Sequence, residues 1–214
     1  MSDILTLKSK EKLGCDLCDK CCKYRGDIRL TPVNVCEISD YLKITNEEFL
    51  YKYTDKLNNG FEIVLKTKGE IRQCVLYEES EKKCMIHKVK PMQCVMFPLI
   101  PESIKRDYFI NSNQCKKDTY KEITIKEWLN GNGNIYKNHK KFCMEWINFI
   151  ENIQDIENEL KDQKESELCK LKKESFNTLF LNYNIRKSIE KQALEKMNSV
   201  TKGYISLKNK IGIL

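Results

Sequence analysis

Four cysteines stand within eight residues near the start of this chain, in the stretch Cys15-Asp16-Leu17-Cys18-Asp19-Lys20-Cys21-Cys22. A spacing of two residues between cysteines lets a tight turn direct both sulfurs at one metal ion. Its repetition brings a third thiolate to the same centre, as in bacterial ferredoxin loops. The side chains of the neighbours Cys21 and Cys22 point apart. One of them is therefore expected to face a second site, or a cluster that spreads its ligands over several metal atoms.

The cysteine content of the whole chain favours metal ligands over a disulfide framework. The 214 residues include 11 cysteines, an odd number that does not suit a closed set of disulfides. Met1 to Gly14 contains no apolar run of signal-peptide length, so the sequence predicts a cytoplasmic protein. Thiols stay reduced there, and reduced, clustered thiols usually hold a metal.

Composition and charge narrow the class of protein. Ten Tyr, eight Phe and two Trp indicate a folded chain with a core. The longest apolar run, Cys94 to Ile100, is interrupted by Pro98, which predicts no membrane span. The net charge is +7. Only five of the 38 basic residues are Arg, which disfavours nucleic acid as the partner and favours a solvated lysine-rich surface.

Local signals divide the chain into a mixed first part and a helical second part. Thr31-Pro32 and the capping boxes that begin at Thr45 and Thr124 predict helix starts. Between the second and third of these starts, β-rich runs predict short strands. The runs are Phe61 to Lys66 and Ile71 to Tyr77 as a hairpin around Lys68-Gly69, Cys84 to His87, and Tyr108 to Ile110.

A seam of apolar residues follows the break Gly131 to Asn134. It consists of Phe142, Trp146, Phe149, Ile153, Ile156 and Leu160, with spacings of three and four residues. Further helix is predicted over Leu168 to Tyr183 and Ile185 to Met197, with a stop at Gly203, and no internal repeat is visible. The predicted fold class is α+β: a small metal-centred cysteine-cluster domain over residues 1–134, followed by a helical extension over 135–214.

Blocks beyond the first cysteines make the pattern specific. They are Arg29-Leu30-Thr31-Pro32, Cys74-Val75-Leu76, Cys84-Met85-Ile86-His87, Lys90-Pro91-Met92-Gln93-Cys94-Val95-Met96-Phe97-Pro98 and a last cysteine, Cys115. With this order the chain resembles the CxxCxxCC cysteine-cluster family, a zinc- or iron-chelating domain related to flagellin lysine N-methylases. The resemblance covers about residues 15–130. The chain departs from the family at Lys90, where Arg is usual, and after Cys115, where Pro-Gly often follows.

The resemblance and the two-residue spacing together select a ligand set of Cys15, Cys18, Cys21, Cys22, Cys74, Cys84, Cys94 and Cys115. Eight thiols suit two four-thiolate sites, or one site with spare thiols. The first interpretation is a metal protein with an iron–sulfur cluster, or alternatively Zn²⁺, in a redox or metal-dependent modifying role. The alternatives are a protein lysine N-methylase, which would need S-adenosylmethionine, and a non-catalytic zinc module that binds a partner. The sequence leaves open whether the protein is an enzyme, and the expected partner is a protein substrate or an electron-transfer protein.

Several chemically capable residues fall outside this set. Cys36 is expected to be a small buried side chain, and Cys143 and Cys169 do not belong to the family pattern. His87 is expected to pack or to hydrogen-bond beside the metal, and His139 to lie on the surface. No Gly-rich turn after a strand and no C-x3-C-x2-C loop is present, so the sequence reveals no conventional S-adenosylmethionine site.

Overall fold

The fold is a mixed α+β arrangement, as the sequence predicts. The computed structural model describes residues 4–14, 20–23, 28–57, 60–103, 105–112, 118–131, 135–160 and 165–210. The α-helices are α1 (Lys20–Lys23), α2 (Pro32–Leu42), α3 (Asn46–Tyr53), α4 (Met92–Met96), α5 (Ile125–Gly131), α6 (Ile135–Leu160), α7 (Glu165–Phe180) and α8 (Ile189–Lys210), and a 3-10 turn covers His87–Val89.

The strands are short and form several small sheets. They are β1 (Lys10–Lys12), β2 (Arg29–Leu30), β3 (Thr54–Lys56), β4 (Ile63–Leu65), β5 (Thr67–Lys68), β6 (Gln73–Cys74), β7 (Tyr77–Glu78), β8 (Lys83–Cys84), β9 (Leu99–Ser103), β10 (Tyr108–Asn111) and β11 (Glu122–Thr124). Four two-stranded sheets pair β1 with β11, β9 with β10, β5 with β6 and β7 with β8, and a three-stranded sheet has the order β2-β4-β3. The predicted strand over Tyr108 to Ile110 is confirmed as β10.

The chain separates into two compact units. Unit 1 consists of Met1–Arg29 and Leu65–Met144, and unit 2 consists of Leu30–Val64 and Glu145–Leu214. Each unit therefore combines two segments of the chain, whereas the predicted domains divide the chain once, after residue 134.

The core of unit 1 is built around β10. Phe109 is fully buried, and its backbone exchanges hydrogen bonds with Leu5 at 2.8 and 2.9 Å. These bonds attach the segment before β1 to the β9–β10 hairpin. The cluster of buried side chains here comprises Leu5, Leu13, Met92, Met96, Leu99, Phe109, Ile125, Leu129 and Tyr136.

Two successive hairpins in unit 1 end their turns in the same way. The Arg72 N–H donates to the carbonyl of Gly69 at 3.2 Å, and the Lys82 N–H donates to the carbonyl of Glu79 at 3.3 Å. Arg72 and Lys82 both have left-handed backbones, with φ of 54° and 49°. Each four-residue turn thus ends in one left-handed residue, and the second strand begins at the next residue, a common way to close a short hairpin.

These hairpins are part of a ten-residue repeat that the sequence analysis missed. The segments TKGEIRQCVL (67–76), YEESEKKCMI (77–86) and HKVKPMQCVM (87–96) each carry cysteine at the eighth place and an apolar residue at the tenth. Those tenth residues, Leu76, Ile86 and Met96, are 0%, 2% and 0% exposed. The first two segments form hairpins, and the third forms the 3-10 turn and α4 instead. The predicted strand pairing over Phe61 to Lys66 and Ile71 to Tyr77, and the strand from Cys84 to His87, are replaced by these shorter elements.

Unit 2 is held together by helix packing around aromatic rings. The Phe61 ring lies 6.4 Å from that of Phe149 and 6.3 Å from that of Tyr204, and Trp146 stands edge-on to Phe180 at 6.0 Å. Glu157 is 6% exposed, accepts a 2.7 Å hydrogen bond from the Tyr204 hydroxyl and pairs with Lys172 at 2.8 Å. The predicted seam is confirmed, since all of its members are buried, Phe142 in unit 1 and the others, Trp146, Phe149, Ile153, Ile156 and Leu160, in unit 2.

The predicted helix starts are confirmed by side-chain caps. Thr31 accepts a hydrogen bond from the Asn34 N–H, Thr45 from the Glu48 N–H and Thr124 from the Glu127 N–H. The predicted stop at Gly203 is wrong, because α8 continues to Lys210. A Cβ at Gly203 would lie 3.4 Å from Leu171 Cδ1, an ordinary van der Waals distance, so the helix passes through this position without needing a glycine there.

Candidate metal centre

The eight predicted ligands fall within the two sequence ranges of unit 1, Met1–Arg29 and Leu65–Met144. The structure describes the side chains of Cys22, Cys74, Cys84 and Cys94. Cys21 belongs to the backbone of α1, and its side chain lies outside the description. Cys15, Cys18 and Cys115 lie outside the described residues.

The short helix α1 connects the first cysteine group to the second. It contains Cys22 and lies against β6, which ends at Cys74. Beside this contact, Lys23 Nζ stands 5.7 Å from the centroid of the Tyr77 ring. Two cysteines about fifty residues apart in sequence are therefore carried by neighbouring elements.

The hairpins present Cys74 and Cys84 in equivalent positions. Cys74 pairs with Thr67 across β5–β6, and Cys84 pairs with Tyr77 across β7–β8. The residue after each cysteine donates a hydrogen bond to the carbonyl nine residues before it: Val75 N–H to Lys66 O at 3.0 Å, and Met85 N–H to Leu76 O at 2.9 Å. Cys74 is buried and Cys84 is half-buried.

Cys94 is positioned by the turn that starts α4. Its N–H donates to the Pro91 carbonyl at 2.9 Å. The preceding side chain, Gln93, accepts the Arg29 N–H at 2.7 Å through Oε1. The helix end is fixed by Trp128, whose indole N–H donates to the Met96 carbonyl at 3.2 Å. Cys94 is half-buried.

The β1–β11 ribbon joins the chain just before Cys15 to the chain just after Cys115. Lys12 stands opposite Glu122 at the end of the ladder. Beyond it, Gly14 and Tyr120 touch: a Cβ built on Gly14 would be 2.6 Å from Tyr120 Cδ1. Gly14 is bonded directly to Cys15, and Tyr120 follows Cys115 by five residues.

Within the described ranges, no group of three or more His, Cys, Asp or Glu side chains is close enough to hold a metal ion. Three of the eight predicted ligands lie outside those ranges and the side chain of Cys21 is not described, so the full ligand set stays a prediction. His87, exposed on the 3-10 turn, has a pKa held below its usual value by partial burial and by nearby Lys90.

The remaining cysteines occupy other places. Cys36 is buried on α2 in unit 2, where burial first, and then Glu37 and Asp40, raise the pKa of its thiol to about 11. Cys143 packs against the hydrophobic cluster of unit 1. Cys169 is exposed on α7. His139 is half-buried on α6 rather than fully exposed.

Charge is divided unequally between the two units. Unit 1 contains 23 basic and 14 acidic side chains, a net charge of +9, whereas unit 2 contains 15 basic and 17 acidic side chains, a net charge of −2. The lysine surplus that appears spread along the sequence is thus concentrated in the unit that carries the cysteine pattern. A metal centre with four thiolates per divalent ion is anionic, and this surplus suits it.

A side chain that the sequence analysis missed bears on whether unit 1 fits a metal–thiolate centre. Gln73, directly before Cys74, is 6% exposed, and its Nε2 has no hydrogen-bond partner among the described residues. Leaving a buried donor unsatisfied costs about 1–3 kcal/mol. A buried donor on a strand that lies against α1, with Cys22, is suited to a thiolate acceptor, so the residues present fit such a centre. The available sequence signal is the recurrence of Gln-Cys twenty residues later, at Gln93-Cys94.

Across the described helices, none has the length and apolar character that a bilayer span requires.

Comparisons with known proteins identify the family of the chain. The chain is 33% identical over 84 residues to "Uncharacterized protein MJ0661" of Methanocaldococcus jannaschii, a match that covers 39% of this chain and 43% of that protein. The chain thus spans less than half the length of this relative. No solved structure matches. A sequence model of the CxxCxxCC family, described as "Putative zinc- or iron-chelating domain", matches residues 14–170. The chain therefore belongs to the CxxCxxCC family and is a metal-binding protein of the zinc- or iron-chelating type.

Proposed function

We propose that this protein holds an iron–sulfur cluster in unit 1 and serves a redox role. The proposed ligands are drawn from Cys15, Cys18, Cys21, Cys22, Cys74, Cys84, Cys94 and Cys115. The observation that carries the proposal is the placement of α1, with Cys22, against β6, with Cys74. This contact joins the two cysteine groups that the sequence separates by about fifty residues.

The ten-residue repeat supports the same ligand set. Cys74, Cys84 and Cys94 occupy the same place in three successive segments, each anchored two residues later by a buried apolar side chain. A repeated scaffold with a cysteine at a fixed place delivers thiols at regular intervals. Packing alone would not require cysteine at all three places, since other small apolar side chains fill such positions.

Metal analysis of protein purified without oxygen distinguishes an iron centre from a zinc centre. Because thiolates suit both metals, the residues alone do not choose between them. An iron–sulfur protein is expected to be brown and to contain iron and acid-labile sulfide in matching amounts. Colourless protein with stoichiometric zinc would reject the cluster and leave a zinc-binding module.

The charge of unit 1 supports a protein partner of acidic character. A net charge of +9 on the cysteine-bearing unit falls to about +5 if two four-thiolate sites each contribute −2. Complementary charge accelerates the association of redox partners. We therefore propose an acidic electron-transfer protein as the partner. The proposed location is the cytoplasm, because thiols stay reduced there. The methylase alternative stays a prediction from the family resemblance.

A further inference from the structure

The buried amide of Gln73 stands out in unit 1. Its Nε2 is unpartnered within the described part of the chain, although the side chain is 6% exposed. Gln93 occupies the same place in the next-but-one segment of the repeat, and its Oε1 accepts the Arg29 N–H at 2.7 Å. The third member of this series, Lys83, is exposed and paired with Glu81. Among the three residues that precede the repeat cysteines, Gln73 is thus the one with a buried, unsatisfied donor.

A cysteine-bearing helix lies against the strand that carries Gln73. The next residue along the chain, Cys74, is also buried, but neighbouring side chains of a strand point to opposite faces, so the candidate acceptor is a thiol of the first cysteine group. In space, the strand that carries Gln73 lies against α1, which carries Cys22. A thiolate that binds a metal keeps negative charge and accepts hydrogen bonds, and an N–H donor to a charged acceptor contributes more than one to a neutral acceptor.

We propose that the side-chain amide of Gln73 donates an N–H···S hydrogen bond to a thiolate ligand of the metal centre, and so sets its affinity and its redox potential. The proposal rests on the proposed function, because it requires a metal centre in unit 1. Donors to ligand sulfurs stabilise the more negative, reduced form of an iron–sulfur cluster and raise its reduction potential. They also hold the ligands in place, and loss of such a partner typically weakens metal binding about tenfold or more.

The test compares two variants of the metal-loaded protein. Gln73→Met keeps an unbranched side chain of similar length and removes the amide. Ser39→Ala is the matched control, because Ser39 Oγ is likewise buried and unpartnered within the described residues but belongs to unit 2. The measurements are the rate at which metal passes to an excess of chelator and, for iron, the midpoint potential in a redox titration.

Gln73→Met is expected to release metal about tenfold faster than the parent protein and to have a more negative midpoint potential. Ser39→Ala is expected to match the parent in both. Gln73→Met with normal metal content, release rate and potential would overturn the proposal. Parent protein that holds no metal would instead overturn the proposed function, so the two failures are distinguishable.

A measurement on the unmutated protein covers the case in which Gln73→Met does not fold. Protein labelled with ¹⁵N in its glutamine side chains is reduced, and hyperfine spectroscopy of the cluster is recorded in H₂O and in D₂O. A coupling from an exchangeable glutamine amide proton is expected. Its absence in a protein with a paramagnetic cluster would contradict the hydrogen bond. A zinc centre gives no such signal, so the rate of metal release is then measured on Gln73→Asn, which has a shorter side chain. Release as slow as in the parent would then count against the proposal.

Discussion

The aromatic ring of Tyr120 lies against the backbone of Gly14, so close that a Cβ at residue 14 would be 2.6 Å from Cδ1 of the ring. This contact stands at the end of the β1–β11 ladder and immediately before Cys15. It ties the first predicted ligand to the chain that follows the last one. Glycine is therefore required at residue 14 by the approach of a side chain from a distant part of the sequence.

Gly14→Ala is expected to destabilise unit 1 by about 1–3 kcal/mol, because an added methyl group forces the ring or the backbone to move. Metal content after purification is expected to fall with it. Gly131→Ala is the control, since nothing lies within 4 Å of a Cβ built there. A Gly14→Ala protein with unchanged thermal unfolding and full metal content would show that the contact has no influence on the centre.

Substitution of single cysteines separates ligands from other thiols. Cys74→Ser, Cys84→Ser and Cys94→Ser are each expected to lose most of the bound metal, because a hydroxyl is a poor replacement for a thiolate. Cys169→Ser, at an exposed place on α7, is expected to keep it. The measurement is metal per protein chain in samples purified in parallel. Equal metal content in all four variants would remove the three repeat cysteines from the ligand set.

Signals carried by neighbouring residues predicted the helices well. Thr31, Thr45 and Thr124 cap helices through hydrogen bonds that reach only three residues along the chain, so their sequence context suffices. Gly203 shows where that logic fails. Its helix continues to Lys210 and buries Tyr204 and Leu207 beyond the glycine, and this tertiary packing outweighs the usual preference of glycine for a helix end.

The site was only partly predictable for a related reason. The three segments of the repeat over residues 67–96 share two of their ten positions, the cysteine and the buried apolar residue. Their sequence similarity is therefore low. Their equivalence appears in the hydrogen bonds of Val75 and Met85, which are ten residues apart and alike. The state of Gln73 depends on which groups surround it after folding, and that information lies outside any local pattern.

Cys36 predicts a dependence of stability on pH in the alkaline range. The pKa of its thiol rises from 9.0 to about 11 in the folded protein. Between these values the thiol has lost its proton in the unfolded chain and keeps it in the folded chain. The free energy of unfolding therefore has its full value below pH 9 and falls as the pH rises towards 11. The loss amounts to at most about 2–3 kcal/mol. Cys36→Ala is expected to show a shallower decline than the parent in urea unfolding from pH 8 to 10.5, and parallel curves would contradict the assignment.

The basic character of unit 1 predicts that electron transfer depends on salt. With an acidic flavodoxin as the reductant, the rate is expected to fall several-fold as ionic strength rises from 0.05 to 0.5 M, because screening shortens the reach of the charges. Reduction by a small uncharged reductant under the same conditions is the control and is expected to change little. A rate with flavodoxin that is independent of salt would contradict an acidic partner.

Removal of the metal is expected to affect the two units differently. The described residues before Arg29 place few side chains in the core beyond Leu5, Leu13 and Ile28, so ligation must supply stability there that burial does not. Unit 2 has its own buried aromatic rings and the Glu157–Tyr204 hydrogen bond. Chelation is therefore expected to remove the near-ultraviolet signal of Trp128 and the tyrosines of unit 1. Most of the far-ultraviolet helical signal, which comes largely from α6, α7 and α8, should be kept.

The control is the same chelator on Cys74→Ser, which is expected to change little because it already lacks most of its metal. A parent protein whose metal is demonstrably stripped, and whose near-ultraviolet spectrum is unchanged, would show that the metal is bound by a fold that does not need it.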